Sequence, residues 1–176
     1  SYRNLCFRAD RRFYHTEFGY NFRMSNLHGA LGVAQVERIE EFVTIKRRVG
    51  HLYRARLAAL PGVRFQVEEA WAKCVYWMYC IELDTELGFK ADDARRALAE
   101  RGIGTRPFFL GLHEQPAAHD IGLFNGERYP VAERIARQGL YLPSGLTLTE
   151  EQVETVTTEL ADVVSALSMI HSAPSS

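Results

Sequence analysis

The chain has 176 residues, of which 47% are hydrophobic and 24% are charged, the proportions of an ordinary soluble globular protein. Its formal net charge of -1 excludes a general electrostatic attraction to nucleic acid or to an anionic membrane surface. No apolar run approaches the roughly 18 residues of a membrane helix, and no signal-peptide pattern opens the chain. Cys6, Cys74 and Cys80 lack the spacing of metal ligands. We therefore expect a cytoplasmic protein with reduced thiols.

Residues 1–24 form an arm in which aromatic and arginine side chains alternate without helical or strand periodicity. Aromatic side chains bury large areas, so we expect the arm to pack on a missing upstream domain or on a second subunit. A nucleic-acid element is the alternative, because arginines bind phosphates and aromatic rings stack on bases. The near-neutral net charge and the mixed charges of the remaining chain argue against that alternative.

A long helical pattern follows the arm. Ser25 is a good N-cap residue, and apolar residues then recur at helical spacing until Pro61. The pattern predicts one helix, or a broken pair, over residues 25–60, with Gly32 and Gly50 as candidate bends. About 35 helical residues span roughly 50 Å, which is enough to bridge two bodies.

The rest of the chain alternates between strand and helix signals. We predict an α+β domain over residues 61–171 and a frayed tail over residues 172–176. The predicted strands cover residues 63–67, 75–83, 103–109 and 139–142, and the predicted helices cover residues 90–101, 130–138 and 149–169.

Familiar catalytic motifs are missing from the sequence. It contains no glycine-rich phosphate loop, zinc-protease motif or nucleophile elbow, and its histidines are too scattered to predict a metal site. The lysines are Lys46, Lys73 and Lys90. Lys46 stands beside two arginines and Lys90 opens a helix, so we expect neither to be a desolvated amine suited to a Schiff base.

Three segments, in register, carry a resemblance to a known family. They are GYNFRMSNLHGALG at 19–32, RGIGTRPFFLGLHEQP at 101–116 and GLYLPSGLTLTEE at 139–151. Each is similar to a signature of the DegT/StrS family of sugar-nucleotide aminotransferases, and VYWMY at 75–79 also suits that family. The resemblance covers essentially all of residues 2–170.

The resemblance implies the fold of type I pyridoxal-phosphate transferases. In that fold a large α/β domain carries the cofactor, a long helix leaves it, and a small C-terminal α+β domain closes the active site. The chain would then contain the end of a mostly missing large domain (1–24), the bridging helix (25–60) and the small domain (61–171). The Schiff-base lysine would lie upstream, so we expect no catalytic residue here and no activity of the chain by itself.

The resemblance also implies specific binding residues and partners. Family members are homodimers, and Asn21 and Arg23 match residues that reach the partner subunit's cofactor phosphate. His113, Arg106 and Phe108 match positions near the sugar substrate, and Gly111 replaces a proline of the family pattern. The expected substrates are a nucleotide-linked keto-deoxysugar and an amino donor such as glutamate, with pyridoxal phosphate as cofactor.

Other functions stay open at this point. Some relatives are sugar dehydratases with histidine at the lysine position, and others are non-catalytic regulators. The chain could also serve only as a dimerising or binding module. Within the aminotransferases, the segment TRPFF…LHEQP favours an enzyme acting at C4 of the sugar, of the perosamine-forming kind.

Overall fold

The computed structural model describes Tyr14, Thr16 and residues 24–172. The remainder of the arm, including its expected cofactor contacts, lies outside the described residues. The chain divides into two compact units. The helical unit comprises the described residues up to Arg38 together with Phe109–Ala136, and the sheet unit comprises Ile39–Phe108 together with the described residues from Arg137 onwards.

The predicted long helix is a broken pair. Helix α1 covers Asn26–Val36 and helix α2 covers Ile39–Leu57, with a turn at residues 37–38 between them. Ser25 caps α1 as predicted, because its hydroxyl accepts a hydrogen bond from the backbone N–H of His28. Neither predicted bend is the break, since both glycines lie inside a helix.

The sheet unit contains four short antiparallel strands in the order β1-β2-β4-β3. Strand β1 covers Val63–Phe65, β2 covers Tyr79–Leu83, β3 covers Arg106–Pro107 and β4 covers Gly139–Leu142. Strand β2 is central, and alternate residues along it are fully buried. The mixture of helices with a small antiparallel sheet confirms the predicted α+β class.

Helices complete both units. Helix α3 covers Ala91–Glu100, α4 covers Pro116–Asp120, α5 covers Pro130–Gln138 and α6 covers Glu150–Ser172. The sequence patterns predicted α3, α5 and α6 closely but not α4. Thr149 and Gln152 form a capping pair at the start of α6, with reciprocal bonds of 3.0 and 3.2 Å.

One core serves the sheet unit. Helix α2 contributes Tyr53 and Leu57, while α6 contributes Val153 and Leu160 from its inward face. Tyr53 is fully buried, and its ring stacks on Tyr79 of β2 with centroids 4.7 Å apart. Such stacking adds to the free energy that aromatic burial itself supplies. Packing of α2 against the sheet therefore depends on aromatic contacts as well as aliphatic ones.

Strand β2 is shorter than the predicted strand over residues 75–83. Tyr76 adopts a positive φ of 47°, which an extended strand does not permit. Its buried ring lies against Gly50 of α2, and its hydroxyl donates to Glu68 at 3.3 Å. The pattern of β-branched and aromatic residues therefore predicts Tyr79–Leu83 correctly and the four residues before it wrongly.

The predicted strand over residues 103–109 is also too long, since only Arg106–Pro107 pairs with β4. The predicted domain boundaries at residues 24, 60 and 171 stay a prediction. Within the described part of the chain, no helix is both long enough and apolar enough to cross a membrane.

The contact between Gly50 and Tyr76 can be tested by adding one methyl group. A Cβ at Gly50 would lie 2.6 Å from the Tyr76 ring, whereas a Cβ at Gly32 would meet nothing within 4 Å. We expect Gly50→Ala to lower the free energy of unfolding by about 1–3 kcal/mol through overpacking. Gly32→Ala should leave that free energy unchanged or raise it by about 0.5–1 kcal/mol. Urea unfolding followed by circular dichroism measures both, and equal values for the two variants would contradict the contact.

Candidate functional site

Three of the segments that resemble the family meet at one cavity of the sheet unit. The cavity has a volume of about 340 Å³. Segment 75–79 contributes Trp77 and Met78, and segment 101–116 contributes Gly104 and Arg106. Segment 139–151 contributes residues 141–145, which are the end of β4 and the loop after it. The complete lining is Trp77, Met78, Gly104, Arg106, Tyr141, Leu142, Pro143, Ser144 and Gly145.

A larger depression of about 550 Å³ runs along α2, with Arg47, Arg48, His51 and Lys73 in its lining. None of the segments that carry the family resemblance contributes to it. We therefore place the candidate site at the smaller cavity, where residues distant in sequence but shared with the family pattern converge.

Arg106 and Tyr141 occupy neighbouring strands at this cavity. Arg106 pairs with Tyr141 across β3 and β4, and the Arg106 side chain is exposed. Phe108 stacks on Tyr141 with ring centroids 4.7 Å apart, so Phe108 supports the wall of the cavity without lining it. Burial raises the pKa of the Tyr141 hydroxyl, which therefore stays protonated at neutral pH.

Lys46 holds the loop at residues 143–145 from the side of α2. Its ammonium donates to the carbonyl of Ser144, and its Nζ lies 3.4 Å from the Ser144 hydroxyl. Partial burial lowers the pKa of Lys46. Lys46 is thus partly desolvated by a loop that lies 98 positions away in the sequence, and its amine is engaged there.

His113 belongs to the helical unit, and its side chain is already engaged there. It is only 8% exposed, and its ring lies 4.7 Å from that of Tyr129. Its Nε2 approaches Oε1 of Glu133 to 3.4 Å without hydrogen-bond geometry. His119 donates from Nε2 to the backbone carbonyl of His113 at 2.6 Å.

Gly111 makes the position of His113 possible. A Cβ at Gly111 would lie 2.5 Å from Cε1 and 2.6 Å from Nδ1 of the His113 ring. The proline that the family pattern carries here would therefore clash with the imidazole as it lies in this chain. Replacement of that proline by Gly111 thus accompanies an inward-packed His113.

A bidentate ion pair fixes Glu133 beside His113. Arg128 donates to the Glu133 carboxylate from Nε and from a terminal nitrogen, at 2.9 and 2.8 Å. The backbone N–H of Tyr129 also donates to Glu133, at 3.0 Å. The Arg128 guanidinium, helped by this N–H, holds the pKa of Glu133 at about 2.

The predicted site residues divide into three groups. Asn21 and Arg23 lie outside the described residues, and their roles stay predictions. Arg106 and Phe108 lie together in the sheet unit, and His113 lies in the helical unit. Sequence reasoning missed Trp77 and Ser144 in the lining, although they lie within the family-like segments VYWMY and GLYLPSGLTLTEE. It also missed Lys46, which binds Ser144 from α2. In the described ranges, no group of three or more histidine, cysteine or acidic side chains is placed to hold a metal ion.

Comparison with known proteins decides the family. The model of the DegT/DnrJ/EryC1/StrS aminotransferase family matches residues 1–161. The chain belongs to this family. The family depends on pyridoxal phosphate, and its solved members share this fold.

Individual aminotransferase relatives agree with that assignment. The chain is 32% identical to GDP-perosamine synthase of Vibrio cholerae over 148 residues, which are 84% of this chain and 40% of that protein. The aminotransferase TlmJ of Streptoalloteichus hindustanus is 28% identical with a TM-score of 0.67, covering 87% of this chain and 40% of TlmJ. DesI, solved with its TDP-sugar product, is 25% identical with a TM-score of 0.70, covering 86% and 38%. The chain thus spans about 40% of the length of these relatives.

The lysines show whether the described residues fit a covalently held cofactor. Lys46 is engaged by Ser144, and Lys73 and Lys90 are exposed. A Schiff-base lysine needs a free amine in a sheltered pocket, which none of the three provides. The described residues therefore do not fit a covalent pyridoxal-phosphate site.

Arg128 can be tested as the cause of the low pKa of Glu133. Because that pKa is depressed from 4.5 to about 2, the ionised carboxylate stabilises the fold above about pH 4.5, and this contribution is lost as the pH falls through 2. Arg128→Ala should raise the pKa of Glu133 toward 4.5, so that the stabilising contribution of the carboxylate is lost at a higher pH. A ¹³C NMR titration of the Glu133 carboxyl measures the shift.

Arg64→Ala is the matched control, because Arg64 lowers the pKa of Asp84 in the same way in the other unit. It should raise the pKa of Asp84 and leave that of Glu133 unchanged. An unchanged Glu133 pKa in Arg128→Ala would refute the assignment.

Proposed function

We propose that the chain is part of an enzyme that transfers an amino group, through pyridoxal phosphate, to a keto-deoxysugar linked to a nucleotide. The observation that carries the proposal is the family match over residues 1–161. The similarity to GDP-perosamine synthase favours an acceptor of the perosamine-forming kind. Glutamate is the expected amino donor.

In this proposal the sheet unit contributes substrate-binding side chains and not the reacting amine. Arg106 lies in the cavity where three family-like segments meet, and Phe108 supports its wall. His113 is the third proposed substrate contact, although its burial and its contacts with Tyr129 and Glu133 favour an indirect role. Asn21 and Arg23 are proposed to bind the cofactor phosphate across a homodimer.

The proposal is tested on the whole protein expressed from its natural gene. Mass spectrometry should detect an amino sugar when glutamate, pyridoxal phosphate and a GDP-linked keto-deoxysugar are supplied. Loss of water from the sugar without an amino product would favour the dehydratase alternative. No change in the sugar would favour a non-catalytic binding module.

The 176-residue chain alone should show no transamination, because each of its three lysines is engaged or exposed. Amino-sugar formation by the purified chain measures this directly. Lys46→Arg is the informative variant, since Lys46 is the partly buried lysine with a lowered pKa. Turnover that disappears in Lys46→Arg would overturn the prediction and identify Lys46 as the reacting amine.

The surface of α1 supports the proposed homodimer. None of its residues is buried, and Leu27, Leu31, Val33 and Val36 are each at least 60% exposed. Exposed apolar side chains on successive turns of one helix are characteristic of a surface covered by a partner. A second copy of the protein is the partner we propose.

The dimer prediction is tested with a charge on α1. Leu31→Glu in the whole protein should shift sedimentation from dimer to monomer, because a buried unpaired carboxylate opposes association. Ile170→Glu is the control, since Ile170 is a similarly exposed apolar residue on α6. A dimer that persists in Leu31→Glu would exclude α1 from the interface.

A further inference from the structure

The order of buried and exposed residues reverses just before strand β2. Along β2 the residues at 79, 81 and 83 are buried, and those at 80 and 82 are half-buried. Successive side chains of an extended strand point to opposite faces, so a continuing strand would bury Val75 and Trp77 and expose Tyr76. The structure has the opposite arrangement, because Tyr76 is buried in the core whereas Val75 and Trp77 are exposed.

The backbone of Tyr76 accounts for the reversal. Its φ of 47° lies in the left-handed region, which an aromatic residue rarely adopts. A residue in this conformation interrupts the extended path, so the two sides of the chain are exchanged before β2 begins. Such residues persist only where surrounding contacts hold them, and they concentrate at functional sites. The conformation of Tyr76 therefore depends on the contacts of its side chain.

Contacts from α2 and from the loop after β1 hold Tyr76 in place. Its ring lies against Gly50, where a Cβ would come within 2.6 Å of the ring. The ring also stacks on Tyr79 with centroids 6.0 Å apart. The Tyr76 hydroxyl donates to Glu68 at 3.3 Å, and Arg47 in turn donates to Glu68 at 2.6 Å. Both ends of the tyrosine side chain are thus anchored.

Trp77 is the residue that the reversal turns outward. It is 69% exposed and lines the cavity beside Arg106. An indole carries a large apolar area, so leaving it in water costs free energy that the ordinary alternation of a strand would recover. Two unfavourable features, a left-handed aromatic residue and an exposed tryptophan, therefore stand at adjacent positions. Together they have one result, which is that an indole forms part of the cavity wall.

We propose that Tyr76 is a positioning residue, which turns Trp77 out of the core and holds its indole as a wall of the cavity. The inference rests on the proposed function, since the occupant of the cavity is taken to be the sugar substrate. Tyr76 does not line the cavity. It acts on substrate affinity only through the position of Trp77, and its own position depends on Gly50 and Glu68.

Tryptophan fluorescence tests the positioning directly, because Trp71 and Trp77 are the two tryptophans of the chain. In a Trp71→Phe background the emission comes from Trp77 alone. Gly50→Ala should displace the Tyr76 ring, and Tyr76→Phe should remove its hydrogen bond to Glu68. Each should lower the fluorescence anisotropy of Trp77, because an indole that is no longer held in one orientation moves within nanoseconds.

Each variant has a matched control. Tyr79→Phe removes the hydroxyl of another buried tyrosine, which has no hydrogen-bond partner among the described residues. Gly32→Ala adds a methyl group where nothing lies within 4 Å. Both should leave the anisotropy of Trp77 unchanged, and circular dichroism shows whether each variant is folded.

The proposal is overturned if the anisotropy of Trp77 stays unchanged in folded Gly50→Ala or in Tyr76→Phe. An equal fall in the two controls would overturn it as well. If Gly50→Ala does not fold, Tyr76→Phe decides alone, since it keeps the buried ring.

Kinetics of the whole protein separate positioning from general stability. With glutamate, pyridoxal phosphate and a GDP-linked keto-deoxysugar, Tyr76→Phe should raise the KM for the sugar about threefold or more and leave kcat unchanged. Trp77→Ala should raise that KM at least as much. Adding Tyr76→Phe to Trp77→Ala should have no further effect, because Tyr76 acts only through Trp77. Additive effects of the two substitutions, or an unchanged KM in Tyr76→Phe, would contradict the positioning role.

The positioning role and the proposed function fail separately. Absence of amino-sugar formation by the unaltered whole protein would refute the proposed function alone. The anisotropy of Trp77 in the 176-residue chain would still decide whether Tyr76 positions it, since that measurement requires no substrate.

Discussion

The structure of the sheet unit depends on hydrogen bonds that one face of α2 donates to the loop after β4. Tyr53 stacks on Tyr79 in the centre of the sheet, and its hydroxyl donates to the carbonyl of Pro143 at 2.8 Å. Lys46 lies two helical turns earlier on the same face and donates to Ser144. Two adjacent carbonyls of the loop are thus fixed by one rigid helix. The cavity beside Arg106 therefore has a wall whose position the core determines.

The two units differ in whether their charged side chains have partners of opposite charge. Around His113, the Glu133 carboxylate is neutralised by Arg128 and held by the backbone N–H of Tyr129. The Arg106 guanidinium in the cavity lining, and the Lys46 ammonium that binds Ser144, have no carboxylate partner among the described residues. A compensated pair holds side chains in place, whereas an uncompensated cation attracts an anionic ligand. The two surroundings therefore differ in net charge: the one at His113 is compensated, and the one at the cavity is cationic.

The sequence predicted the bounds of helices and strands correctly where local signals were strong. It predicted them incorrectly where contacts with distant residues determine the backbone conformation. Ser25 and Thr149 are recognisable as helix caps from their own neighbours, and β4 has its predicted bounds. Strand β2 is shorter than predicted because nothing near Tyr76 indicates its positive φ. That conformation depends on Gly50 of α2, which leaves room for the tyrosine ring.

The sequence by itself determined the family, the α+β class and the segments that form the cavity, because local motifs and periodicity carry that information. Only the tertiary structure decided what the individual side chains do. The sequence shows Lys46 beside two arginines, and only the structure shows that a loop 98 positions away partly buries it. The sequence does not show that Gly111 lets His113 pack inward toward Glu133, and the predicted substrate contact of His113 stays a prediction. Burial and electrostatic environment are set by residues brought together from distant positions, and no pattern in one stretch of sequence contains them.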